Sequence, residues 1–131
     1  MKKSLAIIGG GASALMLAAQ LDERKFDVTI YERNAALGRK FLVAGDGGFN
    51  LTHSEEQEQF ISRYVPSGFF QKIIPLFSNT DLINWLKGIG IDTYVGSSKR
   101  VFPVKGIKPI DVLNAIMDVL KKKNVSVKTN H

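Results

Sequence analysis

A continuous apolar run, Leu5 to Ile8, follows the polar Lys2, Lys3 and Ser4 and is cut off by glycine, and this predicts a first strand at about Ser4 to Ile8. Three glycines follow. From Ala12 to about Glu23 the apolar positions return at helical spacing, with Leu15, Ala18, Ala19 and Leu21 on the face toward a sheet. Asp27 to Tyr31 alternates polar and apolar as a second strand. Farther on, Ser54 and Gln57 have capping-box spacing for a helix to about Tyr64, and Pro66 to Phe77 reads as a second helical stretch. Asn79 or Thr80 is placed to cap a third helix, through Leu82, Ile83, Leu86 and Ile89, that ends near Gly88 and Gly90. Trp85 on that helix reads as a packing anchor. Thr93 to Val95 and Val101 to Phe102 are extended pieces. Pro109 suits the first turn of a helix carrying Ile110, Leu113, Ile116, Met117 and Leu120, and Val125 to Lys128 alternates as a last strand.

The order strand, glycine turn, helix, strand, carboxylate describes a βαβ unit shaped for an adenine dinucleotide. Gly9 permits the tight turn, Gly11 lets the backbone approach a pyrophosphate, and Ala14 is small enough for the helix to lie close to the sheet. Free N–H groups near Ala12 and Ser13, together with the helix dipole, favour the phosphate charge. Glu32, ending the second strand, stands where a carboxylate accepts hydrogen bonds from a ribose diol, and the adjacent Arg33 leaves a 2′-phosphate open as well. Met1-Lys2-Lys3 before Leu5 to Ala19 also has the outline of a secretory signal, but Gly9 to Gly11 interrupt the apolar run. No apolar stretch is long enough to span a bilayer. A cytoplasmic chain without a membrane partner is expected.

At 131 residues the chain suggests one modest core. Its net charge of +6 suits an anionic partner, but the basic residues are scattered, without an aromatic-interleaved stripe, so a nucleotide is expected and nucleic acid is not. Lys121 to Lys123 read as a solvated helix end. The absence of cysteine excludes disulfides and thiol chemistry within this sequence. Two histidines far apart in sequence, His53 and His131, give no metal cluster.

Between Asn34 and His53 lies a glycine-rich segment that includes Gly38-Arg39-Lys40, Gly45, Gly47, Asn50 and Thr52. Its glycines permit close backbone approach, and its two cations can face phosphates or an electron-rich ring. Composition alone supports a solvated surface loop equally well. The run from Ala6 to Ala14, then Tyr31-Glu32-Arg33, Gly38-Arg39-Lys40 and Gly45-x-Gly-x-x-Asn50-x-Thr52, resembles a bacterial family of NAD/FAD-utilising flavoproteins, the YhiN/BaiN-like group with a glutathione-reductase-type FAD domain. Gly96-Ser97-Ser98-Lys99-Arg100-Val101-Phe102-Pro103 looks like that family's Gly-Arg-x-Phe-Pro segment. The chain departs from the family's commoner loop at Gly48, Phe49 and His53, which replace Arg, Cys and Asn.

The resemblance implies FAD, with its ADP part on Gly9 to Ala14 and Glu32 and its flavin end approached by the loop from Arg39 to Asn50. It also implies NAD(P)H as an electron donor and an unidentified small-molecule substrate. Arg39 and Lys40 are the candidates for stabilising a reduced anionic ring, and no residue is assigned as acid, base or nucleophile. The expected fold is α/β, a partial Rossmann-type domain of three parallel strands in the order 3-2-1, with a helical insertion at about 54–90. Residues 1–131 then form the N-terminal segment of a larger FAD-binding domain, inactive alone and prone to self-association through uncovered sheet surface. The alternative is a non-catalytic NAD(P)/ADP-binding module.

Overall fold

The computed structural model describes residues 1–43 and 49–131. Along the chain run β1 (Lys3–Ile8), α1 (Ala12–Gln20), β2 (Phe26–Tyr31), α2 (Arg39–Val43), β3 (Thr52–His53), α3 (Gln57–Ser62) and α4 (Ser67–Ile73). A 3-10 turn at Ile74–Leu76 leads into α5 (Asn79–Gly88), β4 (Thr93–Val95), β5 (Arg100–Pro103), α6 (Pro109–Lys122) and β6 (Ser126–Lys128). Where one core was expected there are two compact units. The first holds residues 1–43 and 108–131, and the second holds 49–107.

The first unit is the α/β unit. Its sheet is fully parallel in the order β1-β2-β6, so the third parallel strand is the last strand of the chain. Leu5 lies opposite Val28 and Ile7 opposite Ile30, while Thr29 lies opposite Ser126. Period-2 alternation puts those apolar residues on one face. Helix α1 packs on β1 and on α6, burying Leu15, Ala18 and Ala19 from one helix and Val112, Leu113, Ile116 and Leu120 from the other. Ile110, expected on the packing face of α6, is instead exposed, and Val112 takes that role. Pro109 opens α6 as expected, and Asp111 accepts the Lys108 N–H at 2.7 Å.

Helix α1 stops at Gln20, short of the expected Glu23. Asp22 is the reason: its carboxylate accepts the Arg24 N–H at 3.0 Å, a local turn that competes with another helical residue. The lysines after α6 are also more engaged than a solvated end. Lys123 Nζ donates to the Leu21 carbonyl at 2.7 Å and pairs with Glu23 at 3.5 Å, tying the two helix ends together.

The second unit combines α3, α4 and α5 with an antiparallel sheet in the order β3-β5-β4. Ile61, Ile74, Leu86, Ile91 and Val101 are its buried apolar residues. The expected cap of α3 by Ser54 does not form: Ser54 stays tied to the Lys99 carbonyl through its backbone N–H at 2.8 Å and its Oγ at 3.0 Å, and Glu56 occupies the cap position without a side-chain bond. Helix α5 is capped one residue earlier than expected. Ser78 and Asp81 form the capping box, leaving Asn79 free to turn inward.

Candidate functional site

Gly9 leaves β1 with φ at +94°, a conformation natural to glycine, and its N–H donates to the Tyr31 carbonyl at 2.7 Å. Gly11 has an ordinary φ of −81° as the N-cap residue of α1, and a Cβ added there would meet open space. Its absence of side chain therefore serves the space in front of the helix rather than the backbone. No side chain caps α1 and no acidic residue sits in its first turn. The first N–H groups of the helix, at Ala12, Ser13 and Ala14, lack intrahelical acceptors, and Gly11, Ala12 and Ser13 are exposed. That is a surface able to receive an anion.

Gly10, to which the sequence reading gave no role, is the tightly enclosed glycine of the three. A Cβ there would collide with Leu37 and come within 3.2 Å of Glu32 Oε2. The Gly10 N–H donates to Glu32 Oε2 at 2.7 Å, and the Gly10 carbonyl accepts the Gly38 N–H at 2.8 Å. Gly38, at φ +69°, faces Leu113 so closely that its own Cβ position is filled. The turn after β1 and the chain after β2 are thus one packed structure.

Glu32 is 8% exposed and ionised in place. The backbone N–H groups of Asn34 and Gly10, then the Asn34 side-chain amide, hold its carboxyl below the ordinary carboxylate range. Asn34 N donates to Oε1 at 2.8 Å and Asn34 Nδ2 to the same oxygen at 2.6 Å. Asn34 Oδ1 in turn accepts from Arg39 Nη1 at 3.3 Å. A cavity of about 550 Å³ opens at the carboxyl ends of β1 and β2, lined by Ile8, Gly9, Tyr31, Glu32, Arg33 and His131. Ligands of open parallel sheets lie at those strand ends. The Tyr31 and His131 rings stand 4.9 Å apart there, and Lys128 Nζ lies 5.4 Å from the Tyr31 ring.

Of the residues singled out from the sequence, Gly9, Gly11, Ala12, Ser13, Ala14, Glu32 and Arg33 gather around this turn and cavity. Arg39 and Lys40 sit on the single-turn helix α2, where a loop was expected, and line a shallow cavity of about 270 Å³ with Val43. Gly45 and Gly47 lie outside the described residues. Asn50 is exposed and belongs to the second unit. Asn34, Leu37 and His131 were missed. A short-range signal existed for Asn34 alone, since a carboxylate two residues upstream can accept its backbone N–H in a local turn.

The second unit has its own polar cluster. Glu55, 8% exposed, is paired with Arg63, whose guanidinium holds the carboxyl below its ordinary range, and His53 Nδ1 lies 3.5 Å from Glu55 Oε2. Asn79 Nδ2 donates to the carbonyls of His53 at 2.7 Å and Glu55 at 2.9 Å, which anchors this stretch to α5. Among the described residues no group of acids and histidines could hold a metal ion, and no helix is long and apolar enough to cross a membrane.

A family model described as the HI0933-like protein Rossmann domain matches residues 3–131. Among curated proteins, a ribosomal RNA dihydrouridine synthase of Haemophilus influenzae is 30% identical over 104 residues, which are 79% of this chain and 26% of that protein. The FAD-dependent monooxygenase pigN of Monascus ruber is 38% identical over 84 residues, 64% of this chain and 18% of that protein. The chain therefore spans about a quarter or less of the length of these relatives. Among solved structures, THI4 of Thermovibrio ammonificans superimposes with a TM-score of 0.59 at 18% identity, over 98% of this chain and 38% of that one. The 3-ketosteroid-delta4-(5alpha)-dehydrogenase of Rhodococcus jostii RHA1 gives 0.58 at 11% identity, over 98% and 38%. At those identities the structural matches speak to the fold.

Proposed function

This chain belongs to the HI0933-like Rossmann-domain family, and we propose from that premise that it is the N-terminal FAD-binding portion of a flavin-dependent oxidoreductase. The observation that carries the reading is the uncapped N-terminus of α1, set behind the positive-φ turn at Gly9 and beside the strand-end cavity bordered by Glu32. The residues fit the ADP part of the cofactor. Within the turn from Gly9 to Ala14, the helix-end N–H groups of Ala12, Ser13 and Ala14 serve the pyrophosphate, Glu32 is the ribose acceptor, and Arg33 lines the same cavity. Arg39 and Lys40 add positive charge, and Gly45, Gly47 and Asn50 are the proposed contacts toward the flavin end.

When bound, FAD supplies hydride and electron transfer through its isoalloxazine, and the protein supplies orientation and electrostatics. NAD(P)H is the proposed donor, and the proposed setting is the cytoplasm. One relative's name assigns it dihydrouridine synthesis in ribosomal RNA and the other's a FAD-dependent monooxygenation, so the reading is set at the cofactor and not at a substrate. The segment alone is proposed to be inactive and to self-associate through uncovered sheet. Three strands enclose only part of a dinucleotide that lies across several strand ends.

The test is a visible absorption spectrum of the purified chain, followed by titration with FAD and with ADP. A flavin band, or saturable FAD binding tighter than ADP binding, is expected. Saturable ADP binding with no preference for FAD would favour the second reading, a nucleotide-binding module without flavin, which the pairing of Glu32 with Arg33 at one cavity also suits.

A further inference from the structure

Resting on the dinucleotide reading above, we propose that Asn34 is the positioning residue of the nucleotide site, and that by filling Glu32 Oε1 it restricts the carboxylate to a single ribose hydroxyl, taken on Oε2. An ionised carboxylate offers about four acceptor places, two on each oxygen. Three are already taken. Asn34 N and Asn34 Nδ2 occupy Oε1 at 2.8 and 2.6 Å, and the Gly10 N–H occupies one place on Oε2 at 2.7 Å. Glu32 is buried, so it cannot swing outward to present both oxygens to a diol. What is left is one lone pair on Oε2, the oxygen bound to the glycine turn.

The orientation of Asn34 is itself fixed from three sides. Its amide nitrogen must face Glu32, because only a donor can meet an ionised carboxylate there, and its amide oxygen faces Arg39 Nη1 at 3.3 Å. Its own carbonyl accepts the Asn130 N–H at 3.1 Å, which ties the residue to the chain beyond β6. Glu32 is pinned in the same direction, its carbonyl accepting the His131 N–H at 3.1 Å. Asn34 therefore couples a cation, the ribose acceptor and the strand-end cavity without having to touch the ligand.

The experiment compares Kd values for ADP, 2′-deoxy-ADP and 3′-deoxy-ADP by calorimetry, for the parent chain and for Asn34→Ala and Asn34→Asp. In the parent, loss of one hydroxyl should weaken binding about tenfold, the usual effect of losing a hydrogen bond to a charged group, and loss of the other by less than about twofold. In Asn34→Ala and in Asn34→Asp at neutral pH that discrimination should collapse toward equal binding. Two carboxylates side by side resist joint ionisation, so Asn34→Asp should regain discrimination toward about pH 5, where the introduced carboxyl, once protonated, donates to Glu32 as the amide did. A purely structural role would lower all three affinities together and leave the ratio and its pH profile untouched, and that outcome overturns the proposal. Equal tenfold losses for both deoxy analogues in the parent would overturn it as well, since they would mean two hydroxyls on the carboxylate. Failure of the parent chain to bind ADP at all would sink the dinucleotide reading and this proposal with it.

Discussion

Glu32 and Gly10, 22 residues apart, are joined by a 2.7 Å hydrogen bond in which the glycine N–H donates to the carboxylate. The acid at the end of β2 is thereby part of the turn that follows β1, and a change at either residue is felt at both. Gly10→Ala should therefore destabilise the fold by about 1–3 kcal/mol, the usual cost of forcing a methyl into filled space. Urea unfolding measures it. The added Leu37→Ala change removes the side chain that the new methyl strikes, so the double variant should lose less than the two single losses added together.

Gly9 and Gly11 should separate cleanly in their effects. Gly9→Ala places a side chain at φ +94°, at a cost of about 1–2 kcal/mol with no steric clash behind it. Gly11→Val keeps an ordinary backbone and enters open space, so stability should change by less than about 1 kcal/mol. Its effect belongs to binding. ADP affinity should fall at least tenfold, and a folded Gly11→Val chain with parental affinity would remove the pyrophosphate from this turn.

Acid should weaken the fold through the Glu32 network. Its carboxyl titrates below its unfolded value, near 4.3 for a free glutamate, because the donors of Asn34 and Gly10 favour the ionised form. Ionised Glu32 consequently adds stability that is fully present above the unfolded value and is lost as the pH falls through the depressed folded value. Urea midpoints of the parent and Glu32→Gln should differ at pH 7 and converge in acid. A constant difference across that range would show that the ionisation is not the stabilising quantity.

Asn79 offers a test within the second unit. Its amide donates to two backbone carbonyls, of His53 and Glu55, and the residue is 6% exposed. Asn79→Ala should cost about 1–3 kcal/mol through those unpaired carbonyls. Asn79→Asp replaces the amide donor with an acceptor facing the same carbonyls and should be worse. Thermal unfolding orders the two.

What the sequence made legible was short in range. The βαβ core could be read because Leu15, Ala18 and Ala19 repeat at helical spacing and because Gly9, Gly11 and Glu32 stand at positions fixed by the geometry of a strand, a turn and a helix. Val125 to Lys128 was readable as a strand and as a neighbour of β2 by the same logic of parallel crossovers. The role of Gly10 was not, since it depends on Leu37 and Glu32 folding back onto the turn. The cap of α3 failed for a similar reason: Ser54 matched the local pattern, but its backbone N–H and hydroxyl are both held by the Lys99 carbonyl, 45 residues away, and the helix begins beyond it. Asn79 was assigned to a cap because Asn favours that place, while burial and two carbonyls gave it different work.

Residues 49–107 fold as a unit of their own within the connection that leaves β2 and returns through α6 to β6, so to the parallel sheet they are one long loop. The entropy of closing a loop grows only with the logarithm of its length, about 0.6 kcal/mol for each doubling. Substantial material can therefore be inserted or exchanged between those two strands at small thermodynamic expense to the sheet. That second unit is loosely bound by the sheet and can change in length and content, while the glycine turn, its acid and the packed face of α6 cannot, being held by contacts a single methyl would break.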